Sequence, residues 1–371
     1  MRSVLPARLL PARLLRARAA VAALAAAVIL TGLSTVSTTT SAQAADPGPP
    51  RAADGFGLTQ VGATVGTDTN FVITVTTPEV AGEHHIRILL PSDYAANATK
   101  RYPVLYFLHG ASDDPGNPNL AYPALTATKK MITVVPDGGK RGWYANWLDQ
   151  NTAAGAQNWE NFHINQVIPF IDANFRTNAT KGGRAVAGLS MGGFGSVHYA
   201  QNHPELFSQV GAFSGALDLS VGHLVMRAAV VATLTNVGAA LCGASGPTCS
   251  LDFGPAVSSD AIFGSPYPVF NVDWRWNEAD PSTHMDRLAG MGISLYTGNG
   301  DGDAANPELW AQSASEHAKE RLDELGRPYH YVDYGNGAGW GGSCDGGHNY
   351  GCWAQDLVDF VPRLEATLVS A

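Results

Sequence analysis

The sequence predicts an α/β fold built on a doubly wound, mostly parallel sheet. Two observations support this prediction: short apolar runs alternate with segments of helical spacing, and several runs are apolar throughout. Continuous apolar runs are typical of parallel strands that are covered on both faces, and strand–helix alternation provides the crossovers such a sheet needs. A segment from about 219 to 270 is alanine-rich and then rich in Gly, Pro and Ser. We interpret this segment as an insertion over the C-terminal edge of the sheet.

Eight segments are predicted to be strands. The first two flank turn-forming Pro78 and Gly82 and are expected to pair antiparallel. The other six are short apolar or aromatic runs placed between helical segments. In chain order the predicted strands are 71–77, 83–90, 103–110, 131–136, 183–187, 209–213, 293–297 and 329–334.

Four segments are predicted to be helices. Their apolar residues recur at helical spacing, and their ends carry boundary signals such as Pro204 after one helix and Asn306 before another. The predicted helices are 159–175, 194–202, 307–325 and 353–368.

The N-terminus has the pattern of an export signal. Five arginines precede an apolar stretch at 19–33, and Ala42-Gln43-Ala44 supplies a small-residue cleavage site. A membrane anchor is the alternative, which the short, alanine-rich apolar stretch disfavours. We therefore expect a signal peptide at 1–44, a flexible leader at 45–70, one domain at 71–371, a secreted, extracellular protein and no stable membrane span.

Charge and cysteine content restrict the partners and the compartment. The formal charge is −9 for the 371 residues and falls to −14 without the five N-terminal arginines, which argues against nucleic acid or an anionic membrane as a partner. Four cysteines in an exported chain suggest two disulfides. The local pairing would join Cys242 to Cys249 and Cys344 to Cys352; the sequence leaves the other two pairings open.

The pentapeptide at 188–192, Gly-Leu-Ser-Met-Gly, lies between a predicted strand and a predicted helix. It matches the nucleophile elbow of α/β-hydrolases, in which a serine occupies a sharp turn and flanking glycines avoid steric clashes. Ser190 is therefore the candidate nucleophile. An inert glycine-rich turn is the alternative interpretation.

A serine nucleophile needs a base and an acid, which follow it in this fold in the order Ser, acid, His. His348 lies after the last predicted strand and is the candidate base. The acid is expected in the loop after strand 293–297, where Asp301 is favoured, Asp303 is the alternative and Glu308 ranks third. The same loop resembles the start of a calcium loop, but it lacks the glycine and the final carboxylate of that motif.

Two backbone N–H groups are expected to bind the oxyanion. One belongs to Met191, the residue after the nucleophile, and the other to Ala111 in the loop after strand 103–110. His109 lies in that loop but precedes the serine, so it does not fit the order expected of the base.

The chain resembles the esterase D and antigen 85 group of α/β-hydrolases, in its secreted actinobacterial branch, from about residue 71 to residue 368. The family's histidine segment usually carries a tryptophan two residues after the histidine; here Tyr350 takes that place. The motifs that carry the resemblance are the elbow at 188–193, His109-Gly110, Asn146-Trp147, 159–162, 214–218, 276–281 and 295–300.

The resemblance implies a serine esterase or acyltransferase that works through an acyl-enzyme on Ser190, with Ala111 and Met191 as oxyanion donors and His348 as base. The expected partner is an ester or acyl donor, with a sugar or glycerol as acceptor if the enzyme is antigen 85-like. No cofactor and no metal are implied. A non-catalytic secreted binding protein on the same fold is the alternative from another class.

Overall fold

The computed structural model describes residues 49–236 and 253–369. The predicted signal peptide and the two cysteines Cys242 and Cys249 lie outside these described residues. Nine strands form one sheet: β1 (Thr59–Gly66), β2 (Asn70–Thr76), β3 (Glu83–Leu89), β4 (Val104–Leu108), β5 (Ile132–Pro136), β6 (Arg184–Leu189), β7 (Gln209–Phe213), β8 (Gly292–Thr297) and β9 (His330–Asp333).

The strand order is β1-β2-β3-β5-β4-β6-β7-β8-β9. The pairs β1–β2, β2–β3 and β3–β5 are antiparallel, and the remaining five pairs are parallel. Every residue of β4, β5 and β6 is buried, which explains why these strands are apolar without alternation. The predicted mostly parallel α/β sheet is confirmed.

The predicted flexible leader at 45–70 is wrong in its second half. Strand β1 lies within it and pairs with β2, and Leu58 just before it is buried. As an edge strand, β1 has no fully buried residue, so its sequence lacks the apolar pattern by which a strand is recognised.

Helices cover the sheet; the four predicted helices lie within a few residues of their expected bounds, and α1, α5 and α6 below were not predicted. They are α1 (Pro123–Ala127), α2 (Trp159–Asn161), α3 (Ile168–Asn174), α4 (Met191–Asn202), α5 (Leu224–Leu234), α6 (Trp274–Ala279), α7 (Pro307–Glu324) and α8 (Tyr350–Thr367). A π-helical segment, Phe162–Val167, joins α2 to α3, so the predicted helix at 159–175 is one continuous element.

The predicted insertion is held to the domain by a buried ion pair. Arg227 on α5 is fully buried and donates through Nη1 to Asp273 Oδ2 at 2.8 Å, just before α6. Its Nε also donates to the Leu219 carbonyl at 2.5 Å. A buried arginine with several acceptors of this kind fixes the path of the chain on both sides of the insertion.

Within the described residues, no helix is both long enough and apolar enough to cross a membrane.

Candidate active site

Ser190 occupies the turn between β6 and α4 with φ 54° and ψ −119°. A non-glycine residue at positive φ is strained and persists only where the surrounding structure enforces it. Here the backbone on both sides of Ser190 is packed closely enough to enforce this conformation. A Cβ at Gly188 would lie 2.3 Å from Gly192 O, and one at Gly192 would lie 2.1 Å from Leu108 O. The glycines of the pentapeptide are therefore required by sterics, as the elbow interpretation expected.

His348 lies between Ser190 and a carboxylate. Its Nε2 is 2.8 Å from Ser190 Oγ and its Nδ1 is 2.8 Å from Glu308 Oε2. The carboxylate accepts a hydrogen bond from Nδ1–H, which keeps the ring proton on Nδ1 and leaves Nε2 free to accept the serine proton. The structure thus brings Ser190 and His348 together as expected, but the carboxylate is Glu308.

Glu308 is fully buried, and its second oxygen is held by three donors. Oε1 accepts hydrogen bonds from Ser214 Oγ at 2.9 Å, Thr297 Oγ1 at 3.1 Å and the Gly298 N–H at 2.7 Å. A buried carboxylate needs such partners to offset its desolvation. Oε1 is thereby anchored to the ends of β7 and β8, and Oε2 is left to face the histidine.

The structure corrects the prediction that Asp301 is the acid beside His348. Asp301 lies in an exposed 3-10 turn, Gly300–Gly302, at φ 56°. Asp303, the alternative, is also exposed, and its Oδ1 accepts the Ala305 N–H at 2.9 Å. Neither carboxylate is a hydrogen-bond partner of His348, whose Nδ1 faces Glu308. Glu308 instead starts α7, where side chains tilt back toward the helix N-terminus.

One signal for Glu308 is present in the sequence. Asn306 caps α7 by accepting the Glu308 N–H at 3.0 Å, and Pro307 occupies the first turn. A capped helix start predicts that an acid two residues after the cap points back along the axis. The supporting roles of Ser214 and Thr297 depend on contacts between strands and were not predicted.

Trp353 packs against the candidate base from α8. Its ring contacts that of His348 edge to face, with centroids 5.0 Å apart, and its Nε1 donates to Ser214 Oγ at 3.0 Å. Ser214 in turn donates to Glu308. Through these contacts Trp353 restrains both the imidazole and the carboxylate.

The predicted disulfide between Cys344 and Cys352 is present, with the Cα atoms 4.2 Å apart. It encloses His348, and Asn349 caps α8 inside the loop by accepting the Gly351 N–H at 2.9 Å. The loop that carries the candidate base is thus closed covalently and tied to a helix start.

We expect a Cys344→Ser/Cys352→Ser double variant to lose about 2–3 kcal/mol of unfolding free energy, because the disulfide closes a nine-residue loop. Thermal unfolding of the variant, compared with that of oxidised wild type, should show this loss. We also expect any turnover at Ser190 to fall more steeply with temperature in the variant, since its His348 loop is released first. Equal melting temperatures for oxidised and reduced protein would contradict this prediction.

One expected oxyanion donor lies at the start of α4 and the other in the loop after β4. Met191 is the first residue of α4, and Ala111 lies in the turn in which the Asp113 N–H donates to Gly110 O at 3.3 Å. Both residues line the same cavity as Ser190. Within 49–236 and 253–369, neither N–H has a protein acceptor. Two unpaired N–H groups beside a candidate nucleophile are suited to an oxyanion.

His109, the residue before Gly110 in this loop, is fully buried. The Gly138 N–H donates to its Nε2 at 2.8 Å, so the ring proton lies on Nδ1, which is 2.8 Å from Gly110 O. Both nitrogens are engaged with backbone, which leaves no nitrogen to act as a base.

A cavity of about 620 Å³ opens at Ser190. One side is mainly apolar and includes residues of the insertion; its members are Trp143, Met191, Ala216, Met226, Ala229 and Phe253. The side next to His348 is polar; its members include Ser112, Asp113, Asp303, Asp345, Asn349 and Tyr350. A cavity with these two sides is suited to a substrate with one apolar and one polar part.

No cluster of three or more His, Cys, Asp or Glu side chains is placed to hold a metal ion in the described part of the chain.

Comparison with known proteins identifies relatives of this site and fold. The model of the Esterase family matches residues 77–364. Esterase Rv1288 of Mycobacterium tuberculosis is 31% identical over 336 residues, which cover 86% of this chain and 64% of that protein, so the chain spans less than two thirds of that relative. Diacylglycerol acyltransferase/mycolyltransferase Ag85B of Mycobacterium avium is 26% identical over 285 residues, covering 72% of this chain and 76% of that protein.

Solved structures show the same fold. MPT51 (FbpC1) of Mycobacterium tuberculosis superimposes with a TM-score of 0.59 at 20% identity, covering 83% of this chain and all of that chain. A ferulic acid esterase does so with a TM-score of 0.54 at 18% identity, covering 80% and 97%. The expected α/β-hydrolase fold and the resemblance to antigen 85 proteins are confirmed. By the match over 77–364, the chain belongs to the Esterase family.

Proposed function

We propose that the protein is a serine esterase or acyltransferase in which Ser190 is the nucleophile, His348 the general base and Glu308 the acid. The observation that carries the proposal is the chain of two 2.8 Å contacts from Ser190 Oγ through His348 to Glu308 Oε2. A non-catalytic binding protein would not need this complete arrangement at the floor of a cavity.

The proposed reaction has two steps. Ser190 Oγ attacks the ester carbonyl while His348 Nε2 takes its proton, and the N–H groups of Ala111 and Met191 bind the oxyanion. His348 then returns the proton to the leaving alcohol, which gives the acyl-enzyme. Water, or an acceptor alcohol bound in the same place, attacks the acyl-enzyme by the reverse sequence.

The apolar side of the cavity would hold the acyl group. Trp143 there is nearly fully buried, with its Nε1 bonded to Thr233 Oγ1 at 2.9 Å, so it presents its ring rather than a polar atom. A cavity of about 620 Å³ also has room for an acyl group larger than that of a small carboxylic acid. We propose carboxylic esters with a hydrophobic acyl group as the substrate class.

Hydrolysis and acyl transfer remain two outcomes of the same proposal. The relatives named esterase favour water as the acceptor, and the relatives named acyltransferase favour an alcohol such as a sugar or glycerol. A p-nitrophenyl ester chain-length series, run with and without trehalose, other sugars and glycerol, tells the two apart. Faster nitrophenol release together with a new acyl-sugar or acyl-glycerol product would assign transferase activity.

We also propose that the protein works outside the cytoplasm. The Cys344–Cys352 disulfide supports this, because such bonds form and persist in oxidising compartments.

We expect a fluorophosphonate probe to label the wild type at Ser190 and to leave Ser190→Ala unlabelled, because only a serine activated by its base reacts at a useful rate. Ser112→Ala is the matched control: Ser112 lines the same cavity but does not contact His348, so labelling should persist. Labelling that survives in Ser190→Ala would refute the proposed nucleophile.

A further inference from the structure

Asp113 and Tyr350 form a link across the cavity that the proposed reaction does not use. The Tyr350 hydroxyl donates to Asp113 Oδ1. Asp113 lies two residues after Ala111 in the oxyanion loop, and Tyr350 lies two residues after His348 at the start of α8. The link therefore joins the loop of the proposed oxyanion donor to the loop of the proposed base.

This link lies on the side of the cavity where the leaving group must be. His348 has to hand its proton to the leaving atom, so that atom lies next to His348 Nε2. Tyr350 lies two residues after His348, and its ring contacts Trp353, the residue that packs on the imidazole, with centroids 5.5 Å apart. The carboxylate held by Tyr350 consequently faces the alcohol or thiol part of a substrate.

The polar side of the cavity is lined by carboxylates. Asp113, Asp303 and Asp345 line it, and among the described residues no lysine or arginine does. Hydrogen bonds from the Gly347 N–H and the Asn349 amide lower the pKa of Asp345, which keeps that carboxylate ionised. Burial raises the pKa of Asp113; the neighbouring His109 opposes this, and so does the Tyr350 hydroxyl, which donates to the charged form.

Tyr350 occupies only part of the Asp113 carboxylate. An ionised carboxylate has about four lone-pair sites, and the hydroxyl of Tyr350 takes one of them on Oδ1. Of the three carboxylates on the polar side of the cavity, Asp113 is the most buried, since Asp303 and Asp345 are exposed. A charge shielded from solvent acts more strongly on a neighbouring charge.

We propose that Asp113, held by Tyr350, selects the leaving group or acceptor by charge, favouring a cationic part over a neutral one and excluding an anionic one. The inference rests on the proposed function, since it assigns specificity to the same site. It predicts that thioesters and esters of anionic thiols and alcohols are poor substrates, although the acyl group is unchanged.

Three butyryl thioesters test the proposal: those of thiocholine, of its neutral isostere 3,3-dimethylbutanethiol and of 2-mercaptoethanesulfonate. In each, the Ser190 Oγ–carbonyl bond forms, the carbon–sulfur bond breaks, and the serine proton passes through His348 to the thiolate. Thiol release gives kcat/KM for each. We expect kcat/KM to fall about tenfold from cationic to neutral and again from neutral to anionic, and the differences to shrink in 0.5 M NaCl.

The variant Asp113→Asn removes the charge but keeps an acceptor for Tyr350. We expect the cationic-to-neutral ratio of kcat/KM to fall about fivefold in this variant. Asp114→Asn is the matched control: it makes the same change in net charge at an exposed neighbour that pairs with His85 and does not line the cavity. Its ratio should equal that of the wild type.

Equal kcat/KM for the three thioesters in wild type would overturn the proposal, and so would an unchanged ratio in Asp113→Asn or an equal change in Asp114→Asn. The wild-type series stands by itself if Asp113→Asn fails to fold. Turnover of the neutral thioester without charge preference would leave the proposed function intact and reject only this inference. Absence of all turnover and of fluorophosphonate labelling would reject both.

Discussion

Glu308→Gln is expected to lower kcat by about 10⁴-fold with little change in KM, because a triad acid acts on the transition state. Glutamine matches glutamate in size, so Ser214, Thr297 and Gly298 keep an acceptor at the buried site. What is lost is the charge that stabilises the imidazolium and the acceptor that keeps the proton on His348 Nδ1. Ester turnover and circular dichroism, measured side by side, separate this loss from unfolding.

Asp301→Asn and Asp303→Asn are the matched controls for this prediction. Both residues are exposed and neither contacts His348, so each change should alter stability by about 0.5 kcal/mol and leave turnover nearly intact. Normal turnover in Glu308→Gln together with collapse in Asp301→Asn would return the role of the acid to Asp301. If turnover collapses in none of the three, no residue in this part of the chain is the acid.

Gly192→Ala is expected to remove activity and to destabilise the protein by about 3 kcal/mol or more. A Cβ at this position would lie 2.1 Å from Leu108 O and 2.7 Å from His109 O, and both are backbone atoms that a rotamer change cannot move. Relief requires α4 and the His109–Ala111 loop to separate, which displaces Met191 and Ala111 from the proposed oxyanion site. Urea unfolding and kcat/KM should therefore decline together.

Gly342→Ala is the matched control, since a Cβ there would meet nothing within 4 Å and Gly342 has no positive φ. We expect its stability and activity to equal those of the wild type. A stable and active Gly192→Ala variant would show that the elbow tolerates a side chain, and it would refute the steric account of Ser190.

Local signals were sufficient for the elements that carry the site. In the elbow at 188–192, two glycines stand where the backbone is too close to another backbone segment for a Cβ. A buried strand precedes the elbow and a helix follows it, so all of these signals lie in neighbouring residues of the sequence. The runs of β4 and β5 are recognisable because both faces of these strands are covered. Strand β1 was missed because an exposed edge strand needs no apolar pattern.

The identity of the acid depended on distance in space rather than along the chain. Asp301, Asp303 and Glu308 lie within eight residues, and the nearest to the strand end was favoured. The structure places Glu308 against His348 because α7 starts at Pro307 and its first side chains tilt back over the ends of β7 and β8. Two of the donors that hold it lie at the ends of different strands: Ser214 directly follows β7, and Thr297 is the last residue of β8.

By itself, the sequence determined the α/β sheet, the elbow at Ser190 and the position of His348 after the last strand. These features follow from patterns within a few residues, because local steric and hydrophobic requirements restrict which residue types can occupy those positions. Only the tertiary structure decided that Glu308 faces His348 and that Tyr350 holds Asp113 across the cavity. Both contacts join side chains from loops that are far apart in sequence, and the packing of those loops on one sheet edge sets which polar atoms meet.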